Sequence, residues 1–316
     1  MSHAFLLFFN HEPPLSFAYP MSMLPRPSLR VRPNFSEVEY TRVTPEAAAW
    51  EHLSFAARRM KRGQEWQFNT GHSEYGLVVL GGVCSVRSSR GSWQNIGRRP
   101  NVFAGMPYGL YLPPQTDFLL EAVSLELDLA YGWCRAEGRF DAQLVTPDSV
   151  AIEIRGGGSA TRQINSIFPP GFECERLVGV EVYTPAGNWS SYPPHKHDVH
   201  RVDESGRLLE ADLEEIYFYK IDRPQGYAIQ RVYTSDARLD ETLVAQDSDL
   251  VLVPEGYHPV ASAAGYTTYY LNFLAGSAQS LANSDDPDHA WVKETWSARD
   301  PRVPVVTLEM EHLQSP

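Results

Sequence analysis

Lysine is scarce in this chain of 316 residues: Lys61, Lys196, Lys220 and Lys293 are the whole supply. Basic side chains number 27 against 39 acidic ones, a formal charge of −12. Binding nucleic acid through bulk charge is therefore excluded as a reading, because it needs a concentrated basic surface. Cysteine is almost as sparse. Cys84, Cys134 and Cys174 are too few and too scattered for a disulfide framework, and none forms a close pair of the kind zinc uses. Reduced thiols in a cytoplasmic protein are the expectation. No run approaches the roughly 18–20 unbroken apolar residues of a membrane span. The opening Met1-Ser-His-Ala-Phe-Leu-Leu-Phe-Phe9 lacks the basic leader of a signal sequence, and His-Glu-Pro-Pro follows at once. Residues 1–25 read as a loose N-terminal extension.

Long amphipathic helices are also missing. The best candidate starts at Thr44-Pro45, where threonine can cap, proline can occupy the first turn and alanines follow. What the chain has instead is short runs of Val, Ile, Leu, Tyr and Phe punctuated by Gly, Pro and Asp. Tyr75–Leu80, Gly109–Leu112, Phe118–Val123, Glu215–Ile221, Leu250–Val253 and Thr267–Leu274 are examples. Such runs argue for an all-β protein of sandwich or barrel type. At 43% hydrophobic and 12% aromatic residues, the composition excludes wholesale disorder.

A weak internal repeat suggests two similar β units. Glu74-Tyr-Gly-Leu-Val-Val-Leu80 resembles Glu215-Ile-Tyr-Phe-Tyr-Lys-Ile221, and each is followed by a strand ending in a proline turn, at Pro113 and Pro254. The expected division is 26–165 and 166–316. The glycine-rich Arg155-Gly-Gly-Gly-Ser-Ala160 near the junction lacks the Lys-Ser/Thr ending of a phosphate loop, so it reads as a connector or tight turn.

Chemistry concentrates in the second unit. In Tyr192-Pro-Pro-His-Lys-His-Asp198, strand alternation turns His195 and His197 to one face and Lys196 to the other. Leu213-Glu-Glu-Ile-Tyr-Phe-Tyr219 places acids at the start of an apolar strand. Val253-Pro-Glu-Gly-Tyr-His258 presents a further histidine from a turn. Imidazoles completed by a carboxylate suit a divalent transition metal. Alternation groups Glu214 with Ile216 and Phe218, and Glu215 with Tyr217 and Tyr219. A ligand face shared with tyrosines favours Glu215, with Glu214 as the rival.

This constellation resembles the metal site of the cupin superfamily, with its His-x-His, Glu and Pro-x-Gly…His motifs. More specifically, Glu181-Val-Tyr-Thr, the His-Lys-His segment, Leu213–Tyr219, Pro224–Tyr227, Gln230-Arg-Val-Tyr-Thr, Val253–His258 and Tyr269-Tyr-Leu-Asn272 are similar to the 5-deoxy-glucuronate isomerase family of inositol catabolism. The match is dense over 178–292 and thinner over 28–177. The resemblance implies a bicupin, two jelly-roll barrels in one chain, of which the second holds the metal through His195, His197, Glu215 and His258. The first half carries Asp117 where the second has His258, and only His72 near the place of the paired histidines. Here Glu215 follows His197 by 18 positions, across a polar segment, Val199–Asp212, that reads as a hairpin.

The implied reaction converts 5-deoxy-glucuronate to 5-dehydro-2-deoxy-gluconate. A proton leaves the carbon beside the aldehyde, and the resulting ene-diolate is stabilised by one divalent ion, zinc or manganese, with iron also admissible. Arg231 is the candidate partner for the substrate carboxylate, or else a surface salt-bridge residue; Lys196 ranks below it. Tyr257, Tyr270 and Asn272 are candidate pocket residues, or aromatic and polar core. The base is a metal-bound water, Tyr217 or a carboxylate at the mouth. A small sugar acid is the expected partner, with no nucleic acid or membrane, and a homo-oligomer is the expected assembly. An iron dioxygenase and a non-catalytic sugar-acid-binding cupin are the alternatives.

Overall fold

The computed structural model describes residues 28–312; the extension expected over residues 1–25 lies outside them. The expected runs form strands, and almost all of them pair antiparallel in two barrel-like units. In the first, a six-stranded sheet runs in the order Gln143–Val145, Tyr108–Leu112, Ser73–Gly81, Glu126–Arg135, Ser54–Lys61, Glu39–Val43. It is faced by the four strands Glu65–Asn69, Asp117–Ala122, Cys84–Ser88 and Gly91–Ile96. In the second, the long strand Leu208–Ile221 lies between Leu250–Val253 and Thr268–Gly276. The sheet continues through Val178–Thr184 and Arg162–Phe168 to Ala151–Arg155. Trp189–Ser190, Val260–Ser262, Ala228–Tyr233 and Asp240–Ala245 face it. This is a bicupin.

Sheet pairing does not follow the division drawn at 165. Arg162–Phe168 spans that point, and with Ala151–Arg155 it belongs to the second sheet. Arg30–Val31 also crosses over, pairing with Leu250–Val251. The expected helix after Thr44 is one turn, Pro45–Ala48. It ends because Ala49 turns left-handed at φ 58°, and the Thr44 hydroxyl makes no cap bond. Among the described residues no helix is long and apolar enough to cross a membrane. The three cysteines are free and buried.

Alternation along the strands generates three cores. Tyr75, Leu77 and Val79 point into the first barrel. Tyr217, Tyr219 and Tyr270 point into the second. The opposite faces, with Val78, Leu80, Ile216, Phe218, Leu271 and Phe273, pack against each other between the barrels. Small residues let the sheets approach: a Cβ on Gly132 would lie 2.6 Å from the Phe273 ring. A buried ion pair spans the same interface. Arg99 Nη2 lies 3.0 Å from Glu181 Oε2, and Asn165, Tyr183 and Tyr269 also donate to that carboxylate.

Two carboxylates clasp the barrels reciprocally. Glu214 accepts backbone N–H groups of Glu51, His52 and Leu53 in the first unit. Glu74 accepts those of Glu175, Arg176 and Leu177, on the approach to the second. The internal repeat therefore reads one residue differently from the expected alignment. Tyr75 pairs with Leu112, just before Pro113, as Glu215 pairs with Val253, just before Pro254. Glu74 corresponds to Glu214, and Tyr75 takes the place of Glu215.

Charged acceptors of backbone N–H groups each contribute about 1.5–3 kcal/mol. Glu214→Gln is expected to lower the unfolding free energy by about that amount, read from urea denaturation, with metal content unchanged. Glu74→Gln should cost about the same.

Candidate metal centre

Three chain segments deliver the centre. His195 sits in the short strand His195–Lys196, paired with Ser284–Asp285. His197 follows, and Asp198–Val202 then turns through Asp203–Arg207 into Leu208–Ile221, the expected hairpin. That return strand carries Glu215 back beside His197. His258 comes from the turn after Leu250–Val253. Gly256 has φ +91° and a Cβ there would lie 2.4 Å from the Tyr233 carbonyl, so only glycine fits this turn.

His197, Glu215 and His258 are buried, and their ligand atoms all lie within 4.8 Å of one another. His197 Nε2 is 3.0 Å and His258 Nε2 3.2 Å from the same oxygen, Glu215 Oε2. His195 stands beside them, its ring centroid 4.9 Å from that of His258. Glu214 lies on the opposite face of the strand, in the clasp already described.

The tautomers follow from the partners. Nδ1 of His197 faces the Leu213 carbonyl at 2.9 Å, that of His258 the Gly256 carbonyl at 2.8 Å, and that of His195 the Pro193 carbonyl at 3.3 Å. A carbonyl only accepts, so each Nδ1 donates and each neutral ring keeps its lone pair on Nε2. Two such lone pairs then face one carboxylate oxygen, and His258 Nε2 is buried with no hydrogen-bond partner. A divalent cation satisfies all of these atoms at once, and the donor set fits one. Burial, and then the neighbouring His258, push the His195 imidazole well below its usual range, keeping it neutral.

The remaining candidates divide by strand face. Tyr217 Oη is 2.9 Å from Ser191 Oγ, and its ring lies 5.9 Å from that of His258. Tyr270 packs on Tyr217 at 4.7 Å and bonds Ser190. Asn272 faces the same interior beside Tyr217, with Nδ2 donating to the Ile216 carbonyl. Tyr257 packs instead on Tyr233 at 5.2 Å. Lys196 points away to Asp198 at 3.0 Å. Arg231 is not brought to the centre. It sits on the outer face of its strand, forked onto Asp240 by two 2.8 Å bonds, because the neighbouring positions Gln230 and Val232 take the inward parity. Of the other histidines, exposed His200 bonds Ser277, and His289 lies near Tyr192.

Two contributors were absent from the sequence-based set. Asp198 accepts the Gly256 N–H at 2.7 Å, tying the paired-histidine segment to the turn that presents His258. Arg162 extends into the second barrel, where it donates to the Tyr192 carbonyl at 3.0 Å. Its strand parity, shared with Ile164 of the interior core, was the available signal.

A bicupin with one buried histidine–carboxylate centre is the class that fold and site define. The chain belongs to the KduI/IolB family, which it matches over residues 29–292. A protein of Geobacillus thermodenitrificans (strain NG80-2) named 5-deoxy-glucuronate isomerase is 41% identical over 260 residues, 82% of this chain and 93% of that protein. Its Bacillus subtilis (strain 168) namesake is 35% identical over 254 residues, 80% of this chain and 92% of that one. The crystal structure of an IolB-like protein from Salmonella typhimurium LT2 superimposes with a TM-score of 0.80 at 35% identity, covering 84% of this chain and 99% of that one. Oxalate decarboxylase of Bacillus subtilis, at 13% identity and a TM-score of 0.54, shares the fold.

His197→Ala and Glu215→Gln are expected to abolish stoichiometric metal by elemental analysis, with the fold intact by circular dichroism. Asp198→Ala should weaken metal affinity about 10- to 100-fold in a competitive chelator titration, whereas His200→Ala should leave it unchanged.

Proposed function

We propose that this chain is a metal-dependent aldose–ketose isomerase that converts 5-deoxy-glucuronate to 5-dehydro-2-deoxy-gluconate in inositol catabolism. The observation that carries the metal-dependent reading is the convergence of His197 and His258 on one oxygen of Glu215, with His195 adjoining. Family membership and the name borne by its relatives supply the substrate.

The difficulty of the reaction is the weak acidity of the carbon beside the aldehyde. A divalent ion held by His195, His197, Glu215 and His258 would act as a Lewis acid, stabilising negative charge on two neighbouring oxygens. Zinc, manganese and iron all suit these donors. The protein's own contribution is rigidity. Each imidazole is fixed through its Nδ1–H, so Nε2 is aimed before substrate arrives. Tyr217 keeps its phenolic proton in the interior, held by Ser191, where it can donate to a substrate oxygen or take part in returning the proton. Buried Tyr219 and Tyr270 narrow the space around it and exclude water. The working protein is read as a cytoplasmic homo-oligomer, its three cysteines free.

The test is proton NMR on 5-deoxy-glucuronate with purified protein of known metal content. Conversion to the ketose, lost with a chelator and restored by zinc, manganese or ferrous ion, is the expected result. Failure to convert with any of the three ions would overturn the assignment. Oxygen uptake with the iron-loaded form alone would point instead to dioxygenase chemistry.

A further inference from the structure

The described residues bury three long cationic side chains: Arg99, Arg162 and Lys220. Two have acids. Arg99 pairs with Glu181 and Lys220 with Asp128, at 3.0 and 2.9 Å. Arg162 has none. At 5% exposure, its Nη1 donates only to the carbonyls of Ala160 and Tyr192, at 3.1 and 3.0 Å. A buried cation without a counter-charge is costly, and backbone carbonyls orient it without neutralising it. Burial pushes its guanidinium down to about 10, which leaves it charged at neutral pH.

Its position follows from two features of the chain. Arg162 and Ile164 share the inward face of Arg162–Phe168, while Gln163 and Asn165 bond on the other side, to Val306 and Glu181. The glycine-rich stretch is the hairpin turn that seats it. Gly156 has φ +83°, and a Cβ there would lie 2.1 Å from the Ala160 carbonyl and 3.0 Å from Arg162 Nη1. The other carbonyl partner, Tyr192, sits between Ser191, which holds Tyr217, and Pro193, which orients His195. The cation is thus fastened to the segment that builds the centre.

A second polar group in this barrel is unsatisfied. Gln230 is fully buried, its Oε1 accepts from Tyr219 at 2.8 Å, and its Nε2 has no partner. Gln230 pairs with Val260, two residues beyond His258. An unpaired donor and an unneutralised cation in one barrel ask for a ligand that brings acceptors and a negative charge.

We infer that Arg162 is the positioning residue for the carboxylate of a sugar-acid substrate, and that Gln230 Nε2 donates to a hydroxyl of the same molecule. This rests on the isomerase reading and deepens it: the acid end is held by Arg162 and the aldehyde end faces the metal ligands. A guanidinium offers two parallel donors to a carboxylate. The role assigned to Arg231 by its sequence motif falls to Arg162.

The test uses the full-length, metal-loaded protein and the variants Arg162→Met, Arg162→Lys and Gln230→Leu. Substrates are 5-deoxy-glucuronate and 5-deoxy-glucose, the same chain with a primary alcohol in place of the carboxylate. Calorimetric binding of D-glucuronate and metal content are measured alongside. With metal retained, Arg162→Met is expected to raise the KM for the uronate, and to weaken glucuronate binding, about 10- to 100-fold. The change in its kinetics on 5-deoxy-glucose should be much smaller than on the uronate, Arg162→Lys should recover part of the uronate effect, and Gln230→Leu should weaken both substrates. Wild-type turnover with an unaltered uronate KM in metal-replete Arg162→Met would overturn the anchor and leave the isomerase reading standing. If the wild type turned over neither substrate, the isomerase reading would fall. Glucuronate binding lost in Arg162→Met would then still support a carboxylate site, and binding equal in both proteins, or absent from both, would overturn it. Arg162→Met that fails to hold metal is replaced by Arg162→Lys, whose unchanged KM for the uronate together with a raised KM for 5-deoxy-glucose would likewise overturn the proposal.

Discussion

The strand Leu208–Ile221 is covered on both faces from Leu213 onward, and everything else in the molecule answers to that. Successive residues of a strand point to opposite sides, so Glu214 and Glu215, neighbours in sequence, serve different cores. Glu214 docks the first barrel; Glu215 meets two imidazoles in the second. A slip of one residue would exchange the two carboxylates and drive Ile216 and Phe218 into the centre, while Tyr217 and Tyr219 entered the joint between barrels. Register in this strand is therefore fixed by apolar packing on one side and by the centre on the other. The clasp and the meeting of Glu215 with two imidazoles are consequences of the same alternation.

The first barrel shows what remains when the centre is given up and docking is kept. It retains Glu74 as the docking carboxylate, while the position matching Glu215 holds Tyr75, stacked on Trp133 at 5.4 Å. Trp66, Phe118 and Tyr131 pack around these rings. Aromatic side chains can fill a small barrel with apolar surface, which removes the need for buried polar ligands and the desolvation they entail. Its outer sheet face is then the lid on the outer face of the sheet that carries Glu215. Without that lid, Ile216, Phe218, Leu271 and Phe273 would meet water.

Much of this was legible in the sequence, because it depends on local pattern. Short apolar runs bounded by turn residues became strands, and His197 of the His-x-His pair lies beside the turn-borne His258, since strand parity and a proline–glycine turn are local geometry. Parity also separated Glu215 from Glu214. What could not be read were pairings set by register over long separations. The repeat looked aligned on Glu74 and Glu215 because both are glutamates heading apolar strands; only the partners, Leu112 and Val253, show the one-residue offset. Arg231 drew notice through its motif, yet parity with inward Gln230 and Val232 turns it outward to Asp240. Arg162 was hidden at the edge of a glycine-rich stretch whose composition announced a turn but not what that turn held.

The separation of cores also bears on how the centre forms. None of His195, His197, Glu215 and His258 belongs to the apolar core between the barrels, and the imidazoles take their orientation from backbone carbonyls of strands and turns that the surrounding packing holds. The scaffold is therefore organised by apolar burial and by the Glu214, Glu74 and Arg99–Glu181 contacts, none of which involves the centre. That differs from small zinc domains, where metal binding supplies the folding free energy outright. An ion held here would add stability by mass action, and would relieve the local opposition of two Nε2 lone pairs to one carboxylate oxygen. A centre built this way would take up or release an ion without losing its shape. That is what a Lewis-acid site of fixed geometry requires, because the ligands must already be aimed when both ion and substrate arrive.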